Sequence, residues 1–241
     1  MHADPVAAAL DEVYRRTRAA QAAASTAVLA SDVEPAAAVR EAWGRTSALA
    51  AASPAAASFA CAKGCRWCCH QPIFIAVPEA IAIAAELRRR LDATGLDLLG
   101  QALAQRAARA AGGGWMAAWL RDRVPCAFLG QDGACAIHAD RPTVCRGWHS
   151  LSRAACEEHY IDPAAPPPPI DRVSHLAANA VLHGLTDAAR IAGRDDRLYE
   201  LHGAVLAALA SEDVAERWRA GVPVFPGIAA LGVMPRGPQQ A

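Results

Sequence analysis

Residues 61–70 read CAKGCRWCCH and place four cysteines and a histidine within ten positions. A second group follows in residues 124–149, VPCAFLGQDGACAIHADRPTVCRGWH, where eight and then nine residues separate three further cysteines. Cysteines two or three residues apart let one short loop wrap a metal ion, as in zinc and iron–sulfur sites. The two groups therefore predict a metal site at which two irregular cysteine-bearing loops converge.

The number of thiols argues against a single closed zinc site, which uses four ligands. The candidate ligands are Cys61, Cys65, Cys68, Cys69, Cys126, Cys135 and Cys145. Neighbouring side chains of an extended chain point to opposite sides, so Cys68 and Cys69 are not expected to serve one tetrahedral ion together. The sequence thus favours more than one metal ion, or a cluster.

Residues next to the cysteines suggest how such a site would be shaped and charged. Gly64 permits a tight turn before Cys65. Cys145 follows Arg141-Pro142 and is expected in the first turn of a helix, where a thiol ionises more easily. Basic side chains that could offset thiolate charge are Lys63, Arg66, Arg141 and Arg146.

Other polar residues leave alternatives open. His70, His138 and His149 are either additional ligands or ordinary hydrogen-bonded histidines. Cys156 stands apart from the two groups and is expected to be a small buried apolar residue. His175, Asn179 and His183 recur every four residues and share one helix face, which lines a pocket, lines the metal site or faces solvent.

The overall composition limits the classes of function. The chain has 241 residues, 24 basic and 24 acidic side chains, and 5% aromatic residues. Zero net charge provides no basic face for nucleic acid, and no apolar run is long enough to span a membrane. The start carries early acidic residues and does not resemble a secretory signal. We therefore expect a cytoplasmic protein, in which clustered thiols are metal ligands rather than disulfides.

Periodic apolar positions predict an all-α fold, a helical scaffold that carries the two cysteine-rich loops. Helices are expected at 4–30, 32–51, 78–94 with Gly95 as the end, 96–110, 115–123, 171–192 and 195–220. The apolar run QPIFIAVP, residues 71–78, is expected to be a strand or an extended segment. We expect a single domain over 1–241, with 61–146 as the metal-binding core and 222–241 as a loose tail.

The cysteine pattern, CxxxCxxCC followed by CxFL, CxIH and RPxxCR, resembles the CxxCxxCC (YkgJ-type) family of zinc- or iron-chelating cysteine cluster proteins. The matching residues are Cys61, Cys65, Cys68, Cys69, Cys126, Phe128, Leu129, Cys135, Ile137, Arg141, Pro142, Cys145 and Arg146. Three residues separate the first two cysteines where many members have two. The resemblance implies a bound metal. It also implies a relation to flagellin lysine N-methylases, a group for which an iron–sulfur cluster is proposed.

Two classes of function follow for a centre of iron, iron–sulfur or zinc. One is a redox or group-transfer metalloenzyme, and the other is a structural zinc protein that binds a protein or peptide partner. The spacing Cys61-x3-Cys65-x2-Cys68 also occurs in radical S-adenosylmethionine enzymes. The strand and α/β barrel that accompany that motif are missing from this sequence, so this third class is disfavoured.

Overall fold

The structure, a computed structural model, describes residues 5–29 and 34–231. Ten α-helices occupy these residues: α1 (Pro5–Leu29), α2 (Pro35–Ala51), α3 (Val77–Arg90), α4 (Ala93–Arg109), α5 (Trp115–Arg121), α6 (Thr143–Arg146), α7 (Arg153–Ile161), α8 (Arg172–Ile191), α9 (Leu201–Leu209) and α10 (Val214–Arg219). Three short strands, β1 (Phe74–Ala76), β2 (Leu198–Glu200) and β3 (Ala230–Leu231), form one small antiparallel sheet. The expected all-α class is confirmed.

Helix α8 is the centre of the packing and lies against α1, α2 and α6, while α9 packs on α3 and α4. Small side chains allow these close contacts: Ala38, Ala80, Ala178 and Ala204 are completely buried. Helices α1 and α8 approach each other closely, and a Cβ added to Gly184 would lie 2.6 Å from the Arg18 backbone oxygen. Alanine-rich helices thus pack through short distances rather than through large side chains.

The small sheet joins distant parts of the chain beside the cysteine loops. Strand β1 follows the first loop directly and pairs with β2, so that Ile75 lies opposite Tyr199. Strand β3 then adds to β2, and the preceding Val224 and Phe225 are buried. Residues 222–231 of the expected loose tail therefore pack on the body, and residues 232–241 lie outside the described part of the chain.

Two of the predicted helices differ from those in the structure. Helix α3 ends at Arg90 rather than near Gly95, because the Asp92 side chain caps α4 by accepting a 2.8 Å hydrogen bond from the Gly95 N–H. The single helix expected over 195–220 is instead β2, α9 and α10. Across the described residues, no helix has the length and apolar character needed to cross a membrane.

Candidate metal centre

A cavity of about 1050 Å³ lies where the two cysteine loops meet α8, β2 and the start of α9. All seven cysteines named from the sequence line it: Cys61, Cys65, Cys68, Cys69, Cys126, Cys135 and Cys145. The two groups are far apart in the chain, and the fold brings them to one cavity. All eight cysteines of the chain are free thiols.

The first loop turns sharply and then forms one short helical turn. Gly64 has a φ of +84°, a backbone conformation that glycine adopts without strain. Cys68 and Cys69 lie in the helical turn Trp67–His70, not in extended chain. The expectation that Cys68 and Cys69 lie in extended chain, with their side chains on opposite sides, was therefore wrong. Both side chains face the same cavity.

The second loop is tied to the first by its backbone. The Cys126 N–H donates a 2.8 Å hydrogen bond to the Cys69 carbonyl oxygen. Residues 128–136 then fold back as a tight hairpin, in which the Ala136 N–H donates to the Phe128 carbonyl oxygen. At its tip Gly133 has a φ of +75°, and an added Cβ would lie 2.9 Å from the Gly64 carbonyl oxygen. The two loops thus touch through glycines.

Cys145 reaches the cavity from α6, a helix of only four residues. Buried Glu79 of α3 holds this segment: its Oε1 accepts hydrogen bonds from the Thr143 N–H at 2.8 Å and the Thr143 hydroxyl at 2.7 Å. The same oxygen accepts a 3.1 Å hydrogen bond from the Trp43 indole, and Oε2 accepts one from the Ala76 N–H. One carboxylate therefore joins α2, α3 and the Cys145 segment.

Nothing in the sequence alone singles out Glu79. The available signal was a lone acidic residue in the apolar stretch VPEAIAIAA, residues 77–85, where a solvent-facing glutamate is the usual interpretation.

Burial dominates the electrostatics of the thiols. It raises the pKa of Cys126 to about 11, and it raises the pKa values of Cys135 and Cys145 as well. The hydrogen bond between Cys68 and Cys69 and burial together raise the pKa of Cys68. The expectation that a helix start eases ionisation of Cys145 was wrong, because burial raises the pKa of that thiol well above its usual value.

The basic residues divide into those that face the thiols and those that do not. Arg141 lines the cavity, and its charge acts to lower the pKa values of Cys68, Cys135 and Cys145. Lys63 also lines the cavity. Arg146 instead stacks on Trp43 and donates to the Arg141 carbonyl oxygen, while Arg66 lies over Trp67. Arg141 is therefore the principal counter-charge.

Backbone N–H groups support negative charge on three of the sulfur atoms. Cys126 accepts a hydrogen bond from the Phe128 N–H, and Cys135 accepts one from the Ile137 N–H, in each case two residues further on. Cys61 Sγ accepts from the Ser150 N–H at 3.3 Å. Each of these bonds lowers the pKa of its thiol and would steady a thiolate that serves as a metal ligand.

These donors fit a thiophilic metal in kind. Seven thiols, three of them with N–H donors, and one arginine share a single cavity. Within residues 5–29 and 34–231, no three His, Cys, Asp or Glu side chains are already arranged to enclose an ion. The fold thus collects the candidate ligands in one cavity, and a bound metal would require their sulfur atoms to move closer together.

The histidines and the cysteine whose roles the sequence leaves open lie in different parts of the structure. His138 and His149 line the cavity, where His138 Nε2 lies 2.9 Å from Arg141 Nη1 and His149 stacks on Phe59. His70 is buried against Tyr160 outside the cavity lining. Cys156 lies on α7, also outside the lining, although its charge would raise the pKa of Cys61.

The polar stripe of α8 faces the cavity rather than solvent. His175, Asn179 and His183 all line it, opposite the cysteine loops. His183 Nδ1 lies 2.5 Å from the Tyr14 hydroxyl of α1, and Asn179 donates to the His175 carbonyl oxygen at 2.9 Å. Apolar side chains fill the rest of this wall, including Leu182, Leu198 and Leu201.

A buried pair from the C-terminal part of the chain also reaches a cysteine. His202 Nε2 lies 3.4 Å from Cys126 Sγ, and His202 Nδ1 lies 2.5 Å from Glu200 Oε1. Neither residue could be singled out from the sequence, because a histidine and a glutamate at the border of β2 and α9 form no local motif.

No curated protein and no solved structure matches this chain. One family model matches residues 60–162, a range that includes all eight cysteines. The relation to flagellin lysine N-methylases stays a prediction. Residues 60–162 match the model of the CxxCxxCC family, which is described as a putative zinc- or iron-chelating domain.

Proposed function

We propose that the seven cysteines that line the cavity hold one thiolate-ligated centre of iron or zinc with more than one metal ion. The observation that carries this proposal is the convergence of both cysteine groups on a single cavity. A closed zinc site needs four ligands, so it would leave three of the seven thiols without a role. An iron–sulfur cluster or a polynuclear site uses such a set more fully.

The charges of the cavity support a bound cation. Buried thiols with raised pKa values stay protonated at neutral pH when nothing offsets the negative charge of the thiolate. Arg141 and Lys63, which both line the cavity, supply two positive charges, which are insufficient for several thiolates. Metal ions supply the remainder, because a coordinating thiol loses its proton to the ion's field.

Cys68 occupies the central place in this arrangement. Its charge would raise the pKa of Cys61 on one side and the pKa values of Cys126, Cys135 and Cys145 on the other. Cys68 therefore lies close enough to act on thiols of both cysteine groups, and its loss should affect the whole centre.

Serine substitutions in each loop test the proposal against a matched control. Cys68→Ser and Cys135→Ser should each lower the metal content per chain, with the larger loss for Cys68→Ser. Cys156→Ser removes a thiol outside the cavity lining and should keep the wild-type content. The measurement is elemental analysis of protein purified without oxygen or chelators, with circular dichroism as the check on folding. Unchanged metal content in both loop variants would contradict the proposal.

A second candidate function is a redox or group-transfer metalloenzyme, and the size of the cavity favours it. Ligand pockets are commonly about 300–1000 Å³, predominantly apolar, with a few convergent polar groups. The α8 wall matches this description, with Leu182 beside His175, Asn179 and His183. Leu182→Trp would narrow the cavity at this wall, so it should weaken binding of small apolar ligands while metal content stays unchanged. Unchanged ligand binding in the Leu182→Trp variant would show that the ligand does not bind at this wall.

We keep the cytoplasm as the proposed location, since eight free thiols persist in a reducing compartment. A protein or peptide partner belongs to the structural-zinc alternative.

A further inference from the structure

Glu200 and His202 are completely buried and lie outside the matched range 60–162. Glu200 precedes α9 and accepts hydrogen bonds from the backbone N–H groups of His202 at 3.0 Å and Gly203 at 2.8 Å. Its Oε1 also lies 2.5 Å from His202 Nδ1. The glutamate therefore caps the helix and holds the imidazole at the same time.

The surroundings fix both the orientation and the tautomer of His202. Its ring stacks with Trp119 and Phe128, at centroid distances of 5.4 and 6.3 Å. Nδ1 carries the proton, because a carboxylate such as Glu200 only accepts hydrogen bonds. Nε2 carries a lone pair, because the Ala127 N–H donates to it at 3.2 Å. The lone pair of a rigid, buried imidazole thus faces the cysteine loop.

Two groups converge on that one lone pair. The Ala127 N–H satisfies Nε2, and Cys126 Sγ approaches the same atom to 3.4 Å. Zn–S bonds of about 2.3 Å and Zn–N bonds of about 2.0 Å place neighbouring ligand atoms of a tetrahedral site roughly 3.5 Å apart. The observed separation of Sγ and Nε2 therefore suits two ligands of one ion.

We infer that His202 is a nitrogen ligand of the metal centre, next to Cys126, and that Glu200 is the residue that positions it. This inference rests on the proposed function. Metal-ligating histidines almost always donate their other ring N–H to a carboxylate, a carbonyl or water, which fixes the ring and its tautomer. Glu200 meets that requirement without a water molecule. The C-terminal part of the chain would then complete a site whose thiols come from the matched domain.

Cadmium-113 is a direct probe, because it is a thiophilic stand-in for zinc with a nuclear spin. In ¹⁵N-labelled wild-type protein loaded with ¹¹³Cd, the His202 Nε2 resonance should shift and show a one-bond coupling to ¹¹³Cd. The Ala127 amide resonance should also move, because the metal displaces its hydrogen bond to Nε2. This experiment needs no substitution, so it does not depend on the folding of a variant.

A substitution pair provides a second readout. Glu200→Gln removes the positioning carboxylate and should weaken Cd²⁺ affinity about 10- to 100-fold, the range for partners of ligating residues. Glu212→Gln makes the same change at an exposed residue outside the cavity lining and should leave the affinity unchanged. Affinity is measured by competition with a chelator.

The outcomes separate this inference from the proposed function. Cadmium bound by sulfur alone, without coupling to His202, overturns the nitrogen ligand and leaves the thiolate centre standing. A wild-type protein that takes up no metal overturns both.

Discussion

Glu79 is completely buried, yet it accepts four hydrogen bonds, from Trp43, Ala76 and both polar groups of Thr143. Hydrogen bonds to charged groups contribute about 1.5–3 kcal/mol each, and a buried group left without its partner costs a similar amount. This carboxylate therefore determines where the Cys145 segment lies relative to α3.

Glu79→Gln should destabilise the protein by roughly 2–3 kcal/mol, since one acceptor oxygen becomes an N–H₂ group facing N–H donors. The free energy of unfolding, from urea denaturation, measures this loss. Exposed Glu212 provides the control, and Glu212→Gln should change stability by less than about 0.5 kcal/mol. Equal stabilities of the two variants would show that Glu79 does not hold this segment.

His183 should make the protein sensitive to acid. Burial and the positive charge of Arg18 lower its pKa from 6.5, while Asp187 opposes them. The Tyr14 hydroxyl is its hydrogen-bond neighbour. A histidine with a depressed folded-state pKa binds protons more readily when unfolded, so stability is intact above about pH 6.5 and falls as the pH drops towards the folded pKa.

His183→Asn should therefore reduce the loss of unfolding free energy between about pH 7.5 and about pH 5. Part of the loss should remain, because burial also lowers the pKa values of His70, His149 and His175. Urea denaturation at both pH values provides the comparison. An unchanged pH dependence would mean that His183 titrates normally in the folded protein.

At the scale of elements, the close contact of α1 and α8 depends on a glycine. A Cβ on Gly184 would meet the Arg18 carbonyl oxygen and the Gln21 Cβ, each at 2.6 Å. Both are parts of a helix, so α1 must move away to accommodate a methyl group. Such overpacking typically costs about 1–3 kcal/mol.

Gly184→Ala should lower the free energy of unfolding by roughly 1–3 kcal/mol, although alanine is the better helix former. Gly100 in α4 is the matched control, because nothing lies within 4 Å of its added Cβ. Gly100→Ala should stabilise the protein by about 0.5–1 kcal/mol. A stabilising Gly184→Ala variant would show that the two helices are not in close contact.

Most helices could be predicted from the sequence, and each incorrect prediction has an identifiable structural cause. The break after Arg90 depends on the Asp92 cap, which competes with a continuous apolar pattern through Gly95. The replacement of a helix at 195–220 by β2, α9 and α10 depends on strand pairing with Phe74–Ala76. Pairing partners more than a hundred residues apart leave no periodic signal in either segment.

At the scale of the whole molecule, the spacing of the cysteines predicted which thiols would lie together, but it did not predict the shape of the site. The helical turn at Cys68 and Cys69, the Glu79 anchor and the α8 wall are products of tertiary packing. His202 reaches Cys126 across 76 residues and belongs to no motif. Sequence spacing thus indicates candidate ligands that share a loop and misses residues that long-range contacts bring beside them.

The most direct test of the central claim is the number of metal ions in wild-type protein purified without oxygen or chelators. Elemental analysis, with acid-labile sulfide and the visible absorption spectrum, provides both the count and the type of centre. We expect two or more iron or zinc ions per chain. A folded protein with one metal ion per chain, or none, would contradict it.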